Sequence, residues 1–250
     1  MVFLGIIKTK GIVINEANSK DNDKVLTILT PDLGKISVIA KGVRREKNIN
    51  KSASQLFVFS ELVLYKNTGD MYILNSADTI EQFYNIRIDI EKFYYVTYMC
   101  KLICDVSTSD EENAELMQLL LNTIYLLEQN KKDNMFLITV FQIRLLRILG
   151  FMPILNKCVN CQSDELHHFS IKYNGLLCNS CAKQDTGSIE FSLSMINALK
   201  YILLSDAKKI YSFEISNMVL SELKLFIKIY LREKLEREYD IDKYLKDILM

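Results

Sequence analysis

The sequence is poor in the residues on which most catalytic sites depend. Its only two histidines, His167 and His168, are adjacent, and no glycine-rich phosphate loop follows a predicted strand. Paired carboxylates such as Glu111 and Glu112 lie in a polar stretch, where solvated charge is the usual explanation. A nucleophile, a base and oxyanion donors do not occur together, so the composition argues against an enzyme.

Long apolar runs are also missing. The longest candidate, Met135 to Leu149, is interrupted by Gln142, Arg144 and Arg147, so no segment is apolar enough to span a bilayer. The short apolar start of the chain lacks a following cleavage region, and we expect no signal peptide. Six cysteines without a secretion signal indicate the reducing cytosol, where thiols bind metal or lie buried. We therefore expect a cytoplasmic protein without membrane contact.

The first 80 residues show the alternating pattern of short strands. The turns between them are well marked, as at Thr30 to Gly34 and Lys66 to Asp70. Such closely spaced strands favour a small β-barrel of the oligonucleotide-binding (OB) type, although an SH3-like barrel has much the same pattern. The predicted strands are Lys10–Asn15, Asp23–Thr30, Gly34–Ala40, Leu56–Tyr65 and Met71–Asn75. Residues 1–80 are therefore predicted to form an OB domain.

From residue 81 onward, apolar residues recur at helical spacing. Gly150 suits a helix C-cap, and Pro153 follows where a helix cannot continue. The predicted helices are Ile88–Cys104, Glu111–Glu128, Asn134–Leu149, Ser194–Leu204 and Ser212–Lys234, with a further one at Asp240–Leu249. We therefore predict an α+β protein whose residues 81–250 form a helical bundle domain, with a metal-binding module inserted at about 156–184.

Two Cys-x-x-Cys pairs provide the strongest local signal. Cys158 and Cys161 form the first pair, and Cys178 and Cys181 the second, with sixteen residues between them. Four thiolates at this spacing suit one tetrahedral zinc ion with no position left for water, which predicts a structural zinc ribbon. A reduced, metal-free knuckle or a redox pair are the alternatives. The adjacent histidines are expected to be bystanders.

A basic segment follows the third predicted strand. Its cations, together with one at the start of that strand, are Lys35, Lys41, Arg44, Arg45, Lys47 and Lys51. A flexible cationic loop beside a barrel would follow a phosphate backbone, although a solvated turn is the alternative. Aromatic residues on neighbouring strands could stack on bases, but core packing is the more frequent role for them.

Together these features resemble one family, the bacterial recombination mediator RecO. The motifs that carry the resemblance are Thr9–Ile14, Thr27–Ile36, Ala40–Arg44, Phe141–Pro153, Cys158–Cys161 and Gly175–Cys178. In the family, Lys35, Lys41, Arg44 and Arg45 match a basic DNA-binding segment, and the four cysteines match zinc ligands. Asn174 and Gln162 stand where the family often has glycine, and the segment Gln55–Phe59 lacks a usual proline.

The resemblance implies a non-enzymatic protein associated with the nucleoid. Such a protein binds single- and double-stranded DNA, anneals complementary strands, and helps RecR load recombinase onto DNA covered by single-strand-binding protein. The acidic, apolar C-terminal tail of single-strand-binding protein is expected to dock on the helical domain. An alternative of a different class is a structural zinc-ribbon adaptor that binds proteins and does not contact nucleic acid.

Overall fold

A computed structural model describes residues 5–20, 22–66, 69–108, 111–241 and 243. The fold is α+β, as predicted, with a barrel followed by helices and a small sheet. Packing divides the chain into two compact units, one ending at Lys131 and the other beginning at Lys132. Within the described residues, no helix combines the length and the apolar character needed to cross a bilayer.

In the described part of the first unit, five strands close into a barrel. They are β1 (Ile6–Ser19), β2 (Asp23–Leu29), β3 (Lys35–Ala40), β4 (Phe59–Lys66) and β5 (Tyr72–Glu81). Their order around the barrel is β1-β2-β3-β5-β4, and β1 pairs with β4 to complete the circle. All pairings are antiparallel except the one between β3 and β5, which is parallel and joins only Val38 to Tyr72 and Ile39 to Ile73. This topology confirms the OB fold.

Alternation of apolar and polar residues fills the barrel. In β3, Ile36, Val38 and Ala40 point inward and are at most 3% exposed, and burial of such aliphatic side chains contributes about 1.5–3 kcal/mol each for the larger ones. Gly11 lies where β1 crosses the core, and a Cβ there would be 2.5 Å from Cγ2 of Ile28. The close approach of the strands at this point therefore requires glycine.

Among the residues that the structure describes, three helices belong to the same compact unit as the barrel. They are α1 (Tyr84–Ile88), α2 (Ile90–Val106) and α3 (Ala114–Gln129). Asp89 separates the first two because its side chain accepts a hydrogen bond from the Lys92 N–H at 3.1 Å and caps α2. The compact unit thus extends past the predicted domain boundary at residues 80 and 81, and a functional boundary there stays a prediction.

The second unit combines helices with a small sheet. Its elements are α4 (Asn134–Ile148), β6 (His168–Ser170), β7 (Gly175–Leu177), α5 (Asn179–Ala182), β8 (Ile189–Glu190), α6 (Leu193–Leu204) and α7 (Asn217–Leu235). Gly150, at φ +84°, ends α4, and the N–H groups of Gly150 and Phe151 bond back to Arg147 and Leu146. The predicted helix at Asp240–Leu249 lies almost entirely outside the described residues.

Candidate nucleic-acid interface and metal centre

The loop between β3 and β4, residues 41–58, carries most of the predicted DNA-binding residues. It contains five lysines and arginines against one glutamate, a net charge of +4 in a chain whose formal charge is zero. We call it the basic loop. Its cationic side chains are all exposed, and they are Lys41, Arg44, Arg45, Lys47 and Lys51. The fold therefore gathers them on one segment at one end of the barrel.

Hydrogen bonds hold the start of the basic loop in a compact shape. The Gly42 N–H donates to Oδ1 of Asp23 at 2.7 Å, and the Arg44 N–H donates to the Asn22 carbonyl at 3.1 Å. Successive turns follow, with the Asn48 N–H bonded to the Arg45 carbonyl at 3.2 Å. The loop is thus a series of hydrogen-bonded turns, in contrast to the flexible segment that its polar composition predicts.

Asn50 fastens the middle of the basic loop to the barrel. Its Nδ2 donates to the Asn75 carbonyl at 3.1 Å, and its Oδ1 accepts from the Ala77 N–H at 3.1 Å. Both partners lie in β5, and Asn50 itself is 9% exposed. The side chain therefore satisfies two backbone groups of the sheet, which a hydrophobic residue at this position could not do.

Lys35 lies apart from the basic loop. It begins β3, six residues before Lys41, a distance of about 20 Å along an extended strand. Its ammonium donates to the Cys104 carbonyl at 2.5 Å, in the last turn of α2, where a cation is favourable. A role for Lys35 in DNA binding stays a prediction, but the structure does engage its ammonium with the helix.

The aromatic residues on and beside the barrel strands differ in burial. Phe57 is 1% exposed and Tyr72 is 5% exposed, whereas Phe59 and Tyr65 are half-buried. Phe57 has a positive φ of 67° and packs edge-to-face on Phe93 with ring centroids 5.3 Å apart. Core packing therefore accounts for Phe57, which precedes β4, and for Tyr72 at the start of β5.

The four predicted cysteines form a cluster in the second unit. The sulfur atoms of Cys158, Cys161, Cys178 and Cys181 all lie within 4.8 Å of one another. The sulfurs of Cys161 and Cys178 are 3.6 Å apart, close to the spacing of about 3.8 Å between sulfurs that sit 2.3 Å from a tetrahedral zinc ion. The donor set and its size therefore fit zinc.

Local backbone geometry builds the cluster. The Cys158 N–H donates to the Ser163 carbonyl at 2.8 Å, and Cys178 is the N-cap residue of the short helix α5. Gln162 and Asn174 both have positive φ, at 65° and 50°. Both residues thus take the conformation for which glycine is suited. His168 points elsewhere, since its Nε2 lies 3.1 Å from Oδ1 of Asn179.

The thiols of the cluster differ in acidity. Burial acts to raise the pKa of Cys158, but hydrogen bonds from the backbones of Cys178, Cys161 and Asn160 outweigh it and lower that pKa to about 6. Burial, together with hydrogen bonds to Cys161 and Cys178, raises the pKa of Cys181 to about 12. Hydrogen bonding and burial thus move the pKa values of Cys158 and Cys181 in opposite directions.

The hairpin of the cluster packs into the helical part of the second unit. Phe169 of β6 is 1% exposed, and its ring centroid lies 4.9 Å from that of Phe226 and 5.8 Å from that of Tyr230, both in α7. The Tyr230 hydroxyl donates to Oδ1 of Asn174 at 2.7 Å, and burial raises the pKa of Tyr230 to about 12. The ribbon is thus part of the core of this unit.

The second unit contains a groove whose lining residues the sequence does not identify. It has a volume of about 190 Å³, and its lining combines apolar residues with two lysines. The lining residues are Met135, Thr139, Gln142, Lys224, Leu225, Ile227, Lys228, Tyr239, Asp240 and Ile241. Lys228 bonds to Asp240 at 2.6 Å. Only the helical spacing of Lys224, Leu225 and Lys228 hints at this groove in the sequence.

Comparison with known proteins gives matches along nearly the whole chain. The sequence model of the family "Recombination protein O N terminal" matches residues 3–83. The sequence model of the family "Recombination protein O C terminal" matches residues 87–240. DNA repair protein RecO of Acetivibrio thermocellus is 37% identical over 247 residues, which cover 98% of both chains. The same protein of Caldicellulosiruptor bescii is 32% identical over 238 residues, covering 94% of this chain and 96% of the relative.

Proposed function

The chain belongs to the RecO family of DNA repair proteins, which supports a role in DNA repair and recombination, and we propose that it acts there as a strand-annealing mediator. It binds single- and double-stranded DNA, brings complementary strands together, and with RecR helps to load recombinase onto DNA covered by single-strand-binding protein. It works by binding rather than by catalysis. Its place of action is the cytoplasm, in association with the nucleoid.

The basic loop is the observation that carries this proposal. A net charge of +4 on residues 41–58, within a chain of zero formal charge, favours a polyanion at this surface. Lysine and arginine contacts to phosphates hold a strand without reading its sequence. The base edges then stay free to pair with a second strand, which is what annealing requires.

The four cysteines hold one structural zinc ion in this proposal. The ion supplies folding free energy by joining the two knuckles, and it leaves no coordination position for a substrate. The support is the sulfur cluster, with all four sulfurs within 4.8 Å. Through Phe169, the ribbon then stabilises the packing of α7 in the same unit.

The groove of the second unit is the docking site that we propose for the tail of single-strand-binding protein. Leu225, 46% exposed, supplies apolar surface, and Lys224 supplies a cation beside it. An acidic, apolar peptide complements such a groove in both respects. The barrel then binds the DNA, and the groove binds the single-strand-binding protein that covers it.

Binding and annealing of labelled complementary oligonucleotides across a salt series test the proposed function. The triple variant Lys41→Ala, Arg44→Ala, Arg45→Ala should bind single strands at least tenfold more weakly and show a flatter salt dependence, because up to three phosphate contacts are lost. A matched control replaces three exposed lysines elsewhere on the barrel by alanine, and these are Lys8, Lys10 and Lys66.

The control has the same change in net charge, so it separates the location of the charge from its amount. Equal losses in the two variants would contradict the assignment of the basic loop. No binding by the unaltered protein, even at low salt, would favour the adaptor function instead.

A further inference from the structure

Ile49, near the middle of the basic loop, stands out because of its exposure. At 85% accessible, it is the most exposed large apolar side chain in the described part of the chain. A single exposed isoleucine is ordinary on a protein surface. The contacts of its neighbours, however, set this one apart.

The residues on both sides of Ile49 are turned toward the protein. Nδ2 of Asn48 donates to the Lys41 carbonyl at 3.2 Å, and Oδ1 of Asn48 accepts from the Asn50 N–H at 2.8 Å. Asn50 is bonded through its side chain to β5. With both neighbours anchored, the backbone holds the isoleucine side chain outward in solvent.

The charge around Ile49 indicates which kind of ligand its side chain contacts. Lys47 and Lys51 lie two residues away on either side, and Arg45 lies one turn earlier, all exposed. A peptide partner that suited these cations would need acidic groups on both sides of an apolar residue. A single nucleic-acid strand has that arrangement throughout, with phosphates along the backbone and apolar base faces between them.

We propose that Ile49 is a base-contacting wedge of the DNA-binding surface. When phosphates bind the neighbouring cations, the isoleucine side chain packs on or between the bases of the strand and loosens their stacking. Apolar side chains make such contacts in other DNA-binding proteins, where they separate base steps. An unstacked strand with free base edges is a better partner for annealing. This inference rests on the proposed function, namely that the basic loop binds DNA.

Binding of two oligonucleotides that differ only in their bases tests the inference. One is a thymine strand and the other is a strand of the same length whose central nucleotides are abasic. Ile49→Ser should bind the thymine strand about fivefold more weakly than the unaltered protein, the scale expected for one lost aliphatic contact. It should bind the abasic strand with unchanged affinity, and both salt slopes should be unchanged because no cation is removed.

Two further variants complete the test. Ile49→Leu keeps an apolar side chain of the same size and should retain most of the affinity. Ile88→Ser removes another isoleucine, 65% exposed on α1, and should bind both strands normally. Fluorescence of 2-aminopurine placed in the strand should rise on binding of the unaltered protein, as unstacking demands, and rise less with Ile49→Ser.

The inference fails if Ile49→Ser binds the thymine strand as well as the unaltered protein does. It also fails if the variant loses equal affinity for both strands, since the contact would then not be with bases. Failure of the proposed function has a different signature, because the unaltered protein would bind neither strand at low salt.

Discussion

Replacement of Asn50 by alanine tests whether the shape of the basic loop matters as well as its charge. The side chain of Asn50 makes two hydrogen bonds to backbone groups of β5, each of 3.1 Å, and it is 9% exposed. Asn50→Ala removes both bonds without removing a cation. Since a hydrogen bond contributes about 1 kcal/mol net, and a buried group left without a partner costs about 1 kcal/mol more, we expect a loss of about 2–3 kcal/mol in unfolding free energy.

Urea unfolding followed by circular dichroism measures this loss, and the oligonucleotide assay measures its effect on binding. We expect Asn50→Ala to bind single-stranded DNA more weakly than the unaltered protein, because the loop must then lose conformational freedom on binding. The exposed Asn156 offers a matched control, and Asn156→Ala should leave stability and binding unchanged.

Two outcomes would refute this reasoning. An unfolding free energy equal to that of the unaltered protein would show that the two hydrogen bonds do not hold the loop in solution. A clear loss of stability with full DNA affinity would show that binding depends on the charge of the loop and not on its shape.

The remaining predictions concern the metal centre and the groove. Removal of zinc by a chelator, or the substitution Cys158→Ser, should lower Tm by about 10 °C because the ribbon is packed into the core of the second unit. Differential scanning calorimetry measures the shift, and Cys104→Ser is the control variant. An unchanged Tm would show that the ribbon does not contribute to the stability of the unit. Leu225→Asp should weaken binding of an acidic, apolar peptide at least tenfold in fluorescence anisotropy, whereas Met218→Asp on the same helix should not. Equal effects of the two would place the peptide elsewhere.

The sequence predicts the barrel well because alternation and turn residues are local signals. The start of β4 is an exception, since it is predicted at Leu56 but lies at Phe59. Phe57 has a positive φ and is buried against an aromatic residue of α2, so tertiary packing overrides the local pattern there. No feature of the local sequence predicts such a contact.

Helix starts depend on caps that the periodicity does not show. The last long helix is predicted from Ser212, yet α7 starts at Asn217 because the Ser216 hydroxyl accepts from the Val219 N–H at 3.3 Å. Likewise, Asp89 interrupts the predicted helix from Ile88 by capping α2. Capping residues are recognisable in hindsight, but serine and aspartate also occur in many turns.

The candidate sites also differ in how far they can be predicted from the sequence. Four cysteines and a run of cations are near neighbours in sequence, so their clustering could be predicted from spacing. The groove brings α4 together with residues far along the chain, and the inward anchoring of Asn50 depends on β5. Such contacts between distant segments leave no pattern in a single sequence.

The parallel pairing of β3 with β5 has a consequence for the mechanics of the barrel. It joins the two strands through two residue pairs, whereas β4 and β5 pair along eight positions. The pairing between β3 and β5, which we call the seam, is therefore the part of the barrel whose separation requires the least free energy. The barrel can widen at this seam while its antiparallel hairpins stay intact, and amide hydrogens there should exchange with solvent before those of the hairpins.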